Sequence, residues 1–131
     1  MNFSHTDFII GYKVAMLCAN ACAEQDGQLV HLSDTDLTAT IWDFTPEAEA
    51  QVQSDCDDFL TPGTIGEIES VLSDTYDSEY AGHDFALTRN HHGAGFWDRG
   101  FGETGESLTT WAHSFGEASL FVDADEKVHC E

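Results

Sequence analysis

The apolar residues of this chain change period at Gly82, and that change governs which folds are open to it. Before it, Ile65, Ile68, Leu72 and Tyr76 recur at helical steps toward Tyr80, behind a Thr61-Pro62 start signal. After it the pattern alternates. Phe85, Leu87 and Arg89 share one side of an extended segment, and Asp84, Ala86 and Thr88 share the other. Asn90-His91-His92-Gly93-Ala94-Gly95 then reads as a turn and Phe96-Trp97-Asp98-Arg99 as the returning strand, with Gly93 and Gly95 supplying positive φ.

The remaining segments fit around this switch. Ser4 and Asp7 mark the start of an amphipathic helix over residues 5 to 24, carrying Ile9, Tyr12, Met16, Ala19 and Ala23 on one side, Lys13 on the polar side, and ending near Asp26-Gly27. Residues 28 to 44 read as a connection with short strand-like pieces. Thr45-Pro46 starts a second helix bearing Ala48, Val52, Cys56 and Phe59. Thr104 heads a helix with Leu108, Trp111, Ala112 and Phe115, closed by Gly116. Ser119 to Val122 and Lys127 to Cys130 form a last hairpin around a turn at Asp123 to Glu126. The sum is one α+β domain over residues 1 to 131: N-terminal helices packed on one face of a small antiparallel sheet, with a C-terminal hairpin, helix and hairpin.

Charge constrains the partner. Lys plus Arg number 4 and Asp plus Glu 25, a formal net charge of −21. Small soluble domains usually carry a magnitude of about 2–8. Nucleic acid and anionic membrane repel such a chain, so direct contact with either is excluded. A basic partner, a cation or a very salty medium favours it. No apolar run approaches the ~20 residues of a membrane span. No basic N-terminal region is present, which predicts an intracellular protein.

The outer faces of the two central helices concentrate acids: Glu47, Glu49, Asp55, Asp57 and Asp58 on the first, and Glu67, Glu69, Asp74, Asp77 and Glu79 on the second. Acids four apart on a helix repeat every ~6 Å along its axis, against a phosphate every ~3.4 Å along a DNA strand. A rigid line of carboxylates therefore offers a cationic groove a surface comparable to nucleic acid.

Residues 83 to 100 invite a chemical reading as well. His83, Asp84, His91, His92 and Asp98 are of the types that bind metal or move protons. Neighbours on a strand diverge, and nothing in the spacing forces these groups together. Thr88 and Ser107 lack a nucleophile elbow, and Gly93-Ala94-Gly95 lacks the lysine of a phosphate loop. Cys18 and Cys22 lie one above the other on the expected first helix, but no second ligand pair follows. The four cysteines read as reduced, packed residues. The reading favoured over chemistry is structural: Phe85, Leu87 and Phe96 face the core, and Arg89 and Arg99 pair with carboxylates such as Asp84 or Asp98. His91, His92 and Trp97 are left to face a partner.

The stretch His83-Asp84-Phe85-Ala86-Leu87-Thr88-Arg89-Asn90-His91-His92-Gly93-Ala94-Gly95-Phe96-Trp97-Asp98-Arg99-Gly100, following Asp55-Cys56-Asp57-Asp58-Phe59, resembles a family of small acidic proteins of bacteriophages and related mobile elements. Ala86 stands where that family often has tryptophan. The resemblance implies a mobile-element origin and interference with host machinery, and it carries over no catalytic residue. The expectation is a phage-type acidic inhibitor in the host cytoplasm. It imitates nucleic acid and binds a basic, nucleic-acid-binding host protein, as an anti-CRISPR or anti-restriction protein would. No catalytic residue, metal or cofactor is assigned. The alternatives are a phage accessory protein adapted to high salt, and a small metal-binding or hydrolytic enzyme built on the histidine-rich segment.

Overall fold

The computed structural model describes residues 2–131. Helix α1 spans His5–Ala19, with Ser4 Oγ accepting from the Asp7 amide as its N-cap. Strands β1 (Ala21–Gln25) and β2 (Gln28–His31) follow, then α2 (Pro46–Phe59), α3 (Pro62–Glu69), α4 (Ser78–Arg89) and α5 (Glu103–His113). Strands β3 (Leu120–Val122) and β4 (Val128–Cys130) close the chain. The fold is α+β, with a four-stranded sheet in the order β2-β1-β3-β4.

The sheet is mixed rather than wholly antiparallel. β1 and β3 pair in parallel at its centre, flanked by the antiparallel pairs β1–β2 and β3–β4. Ala21 and Ala23, Leu120 and Val122, and Val128 are buried and lie on one face of the sheet in register. That face joins the same apolar core as the helices.

Two expectations are corrected. The first helix stops at Ala19, and residues 21 to 25 are a strand. Asp26 (φ 54°) and Gly27 (φ 83°) form the turn that returns it into β2. Two consecutive positive φ values are what a two-residue hairpin turn requires, and Asp-Gly is a favoured sequence for it. Cys18 therefore sits on α1 and Cys22 on β1, so the pair does not share a helix face.

The larger correction concerns residues 62 to 100. α3 ends at Glu69. A turn follows in which Ser73 and Tyr76 exchange backbone hydrogen bonds, and Asp77 Oδ1 accepts from the Tyr80 amide to start α4. Gly82 stands inside that helix, and the segment read as a strand is its second half. Ser78, Ala81, Gly82, Phe85, Ala86 and Arg89 are buried and repeat at helical spacing. Asp84 and Thr88 are buried as well, on a further side covered by the segment after the helix. A helix buried on two sides lacks a clear polar stripe, so six of its residues imitate alternation. α4 ends with His91 at φ 58°, its amide donating to the Thr88 carbonyl and the His92 amide to the Leu87 carbonyl. The left-handed residue is thus His91, not Gly93. Phe96–Asp98 is a single 3-10 turn rather than a strand. α5 follows Gly102, with Thr104 already in its first turn.

Gly82 permits a close backbone contact between α4 and α1. A Cβ there would collide with the Phe8 carbonyl of α1, and one on Gly11 would collide with the Glu79 carbonyl of α4. The two backbones touch, and Phe8, Tyr12 and Phe85 pack beside the crossing. Phe59 stacks on Phe85 at 4.1 Å, with Phe8, Phe96 and Phe115 around them. Replacing a helical glycine by alanine ordinarily stabilises by about 0.5–1 kcal/mol. Gly66→Ala in α3, with open space around it, should follow that rule. Gly82→Ala should do the opposite and cost about 3 kcal/mol through overpacking. Urea unfolding of the two variants measures both signs.

Candidate functional site

The segment 83 to 100 is built into the scaffold at almost every side chain. Asp84 is fully buried and accepts from Arg99 Nε at 3.1 Å, from Arg99 Nη2 at 2.9 Å and from the Tyr76 hydroxyl at 2.7 Å. Burial, followed by the Asp84 charge, pushes the Tyr76 phenol well above its ordinary range, so it stays a donor. Thr88 Oγ1 accepts from the Phe96 amide, and Asp98 Oδ1 accepts from the Gly95 amide. Arg89 donates to Asp55, the Tyr12 hydroxyl and the carbonyls of Phe115 and Gly116. Asn90 joins α4 to Ala118 by accepting that residue's amide.

The expected pairing of both arginines with acids is therefore found, with particular partners. Arg99 takes Asp84, while Arg89 takes Asp55 on α2 rather than Asp84 or Asp98. Lys13 does not lie on a polar face. It is buried, with its ammonium on Glu49 and over the Phe44 ring. Of the four cations only Lys127 is exposed with no ion pair among the described residues.

The histidines do not converge. His83 lies beside Tyr80, His91 stacks on His113 of α5 at 4.3 Å, and His92 Nε2 meets Asn20 Oδ1 at the end of α1. Among the described residues no three His, Cys, Asp or Glu side chains are placed to hold a metal ion together. Burial raises the thiol pKa of Cys22, Cys56 and Cys130, and neighbouring carboxylates add to it. A protonated thiol is a weak nucleophile and metal ligand.

The ten helix carboxylates divide into two groups. Glu49 and Asp55 pair with Lys13 and Arg89. Glu67 accepts from Ser107, Glu69 from the Phe3 amide, and Asp77 caps α4. Glu47, Asp57, Asp58, Asp74 and Glu79 are exposed, with no side-chain partner among the described residues. Asp74 lies in the turn before α4, so the acids from Glu67 to Glu79 do not form one helical line. Trp97 is 54% exposed, and His91 is exposed while His92 is half-buried. Trp42 stands out in the structure and not in the sequence: it is 85% exposed. Its place in an apparent connection carried no periodic signal.

Comparison with protein-family models, with curated proteins and with solved structures gave no match.

Asp84 is fully buried, whereas the Arg99 side chain is 34% exposed, so loss of the carboxylate charge leaves a cation that water can reach and weakens the buried hydrogen bonds. Asp84→Asn should cost about 1–3 kcal/mol. Trp97→Ala should change stability by no more than about 0.5 kcal/mol. Chemical denaturation of the two variants separates the scaffold role of the segment from any display role.

Proposed function

We propose that this protein is an acidic ligand for a cationic groove: a nucleic-acid mimic that binds a nucleic-acid-binding protein. The observation that carries the reading is the pairing of three of the four cations with carboxylates. Lys13 and Arg89 are buried in ion pairs with Glu49 and Asp55, and the exposed Arg99 forks onto the buried Asp84, which leaves the unpaired surface acids with Lys127 as the one unpaired cation among the described residues. A second feature points the same way. Asp57 and Asp58 lie in the last turn of α2, and Glu67 and Glu69 in that of α3, with no basic residue in either turn. Each acid at a helix C-terminus costs about 0.3–1 kcal/mol at low ionic strength. Stability is given up to keep charge there. The resemblance of residues 83 to 100 to small phage proteins supports a host target, of which a defence nuclease complex is the leading kind.

Steered association between opposite charges is salt-sensitive. The immobilised full chain should retain a basic nucleic-acid-binding protein from host lysate at about 50 mM salt and release most of it by about 200 mM. Added duplex DNA or RNA should displace it. Retention that neither salt nor nucleic acid affects would contradict the proposal.

High-salt adaptation is the second reading, and the spread of acids favours it. Glu24, Asp26, Asp34, Asp36, Glu103, Glu106 and Asp125 are exposed outside α2 to α4. Screening of ordinary self-repulsion is nearly complete by about 1 M salt, where the Debye length is ~3 Å. Under the mimic reading the melting temperature rises with KCl and levels off below that concentration. A rise that continues through about 2–3 M KCl favours adaptation to salt.

A further inference from the structure

The three paired cations share one kind of seat, formed by a carboxylate and an aromatic face. Lys13 lies on Glu49 and 5.0 Å from the Phe44 centroid. Arg89 lies on Asp55, with Phe85 and Phe115 at 5.5 and 5.9 Å. Arg99 lies on Asp84, with Tyr76 and Tyr80 at 5.5 and 5.8 Å. Both ingredients line one surface cleft that no cation of this chain fills in the same way. Ile41 and Trp42 from the loop before α2, His5, Ile9 and Ile10 from α1, and Asp57 from α2 line a cleft of about 330 Å³.

The loop holds Trp42 in place. The Thr40 amide and hydroxyl donate to Asp43 Oδ2, and the Trp42 amide donates to Thr40 Oγ1. The Asp43 carbonyl accepts from the Val128 amide, and the Thr45 amide donates to the Val128 carbonyl. Those bonds to Thr40 hold the Asp43 carboxyl below its ordinary range. An indole left 85% exposed forgoes the stabilisation of burying its apolar area. On a loop whose backbone is already tethered, it can be buried by a partner at little further backbone ordering cost. Tryptophan is among the residue types enriched at binding hot spots.

We propose that this cleft seats an arginine side chain of a basic protein partner, with the guanidinium flat against Trp42 and paired with Asp57. The proposal rests on the acidic-ligand reading above and names its anchor. Arginine fits better than lysine because a planar, weakly hydrated guanidinium both stacks on an indole and forks onto a carboxylate. Lys13 at the cleft does not repel it, since Glu49 offsets its charge. A second copy of this chain would bring the same unpaired acids to the contact, and a lipid or nucleic-acid surface would bring more negative charge.

Calorimetric titration of the full chain with a nine-residue oligo-arginine peptide, and with oligo-lysine of equal length, tests this at about 100 mM salt. Trp42→Ala should weaken oligo-arginine binding about tenfold and Asp57→Asn about threefold. Oligo-lysine should lose less in Trp42→Ala, and Leu29→Ala, at an exposed position on β2, should bind both peptides as the parent does. Far-UV circular dichroism confirms that the variants remain folded. Equal oligo-arginine binding by Trp42→Ala and the parent overturns the arginine seat while leaving the acidic-ligand reading intact. Failure of both peptides to bind even at low salt overturns that reading itself. Self-association of the parent that is lost in Trp42→Ala assigns the cleft to a second copy and overturns the proposal.

Discussion

Three cations tie this structure together, and their scarcity shapes everything else. Arg99 fastens the segment after α4 to the buried Asp84, Arg89 joins α4 to α2 and to the end of α5, and Lys13 joins α1 to α2. A buried carboxylate such as Asp84 is tolerable only with a bidentate partner and a further donor, and Arg99 and Tyr76 supply them. With three of the four cations engaged in these pairs, only Lys127 is left, among the described residues, to offset the unpaired surface acids. Internal cohesion and external charge are two consequences of one allocation.

The aromatic core works alongside these pairs. Phe8, Phe59, Phe85 and Phe96 come from α1, α2, α4 and the turn after it, and none is exposed. The contacts of Phe85 with α1 depend on the close backbone approaches of Gly11 to Glu79 and of Gly82 to Phe8, which bring α1 and α4 near enough for Phe8 and Tyr12 to reach Phe85. The histidine-rich segment finishes this core on one side. Its conspicuous residues are largely accounted for by helix termination, ion pairing and loop attachment.

Much of this was legible in the sequence, and the failures have physical causes. Thr45-Pro46 and Thr61-Pro62 cap α2 and α3 as read, because a capping hydroxyl followed by proline acts locally. The β3–β4 hairpin and the α+β class were legible for similar reasons. α4 imitates a strand in sequence because its burial comes from tertiary contacts on two sides, which erase the polar stripe that marks a surface helix. Asp26-Gly27 was read as a helix end although it is equally a hairpin turn, and only the sheet decides between them. At the candidate site, charge and composition named the acids. They could not tell that Glu49 and Asp55 serve internal cations, since those contacts join residues far apart in sequence. Trp42 owes its exposure to a loop tethered to β4, a feature without a local signature.

Under the proposed acidic-ligand function, the free carboxylates form the binding surface and the paired ones the scaffold. Its most direct test is a variant in which Glu47, Asp57, Asp58, Asp74 and Glu79 are replaced together by their amides, measured for binding to the captured basic partner. The account predicts a folded protein at least as stable as the parent, because self-repulsion falls, with partner affinity reduced by a factor of about 100 or more. A folded variant that binds the partner as tightly as the parent would contradict it.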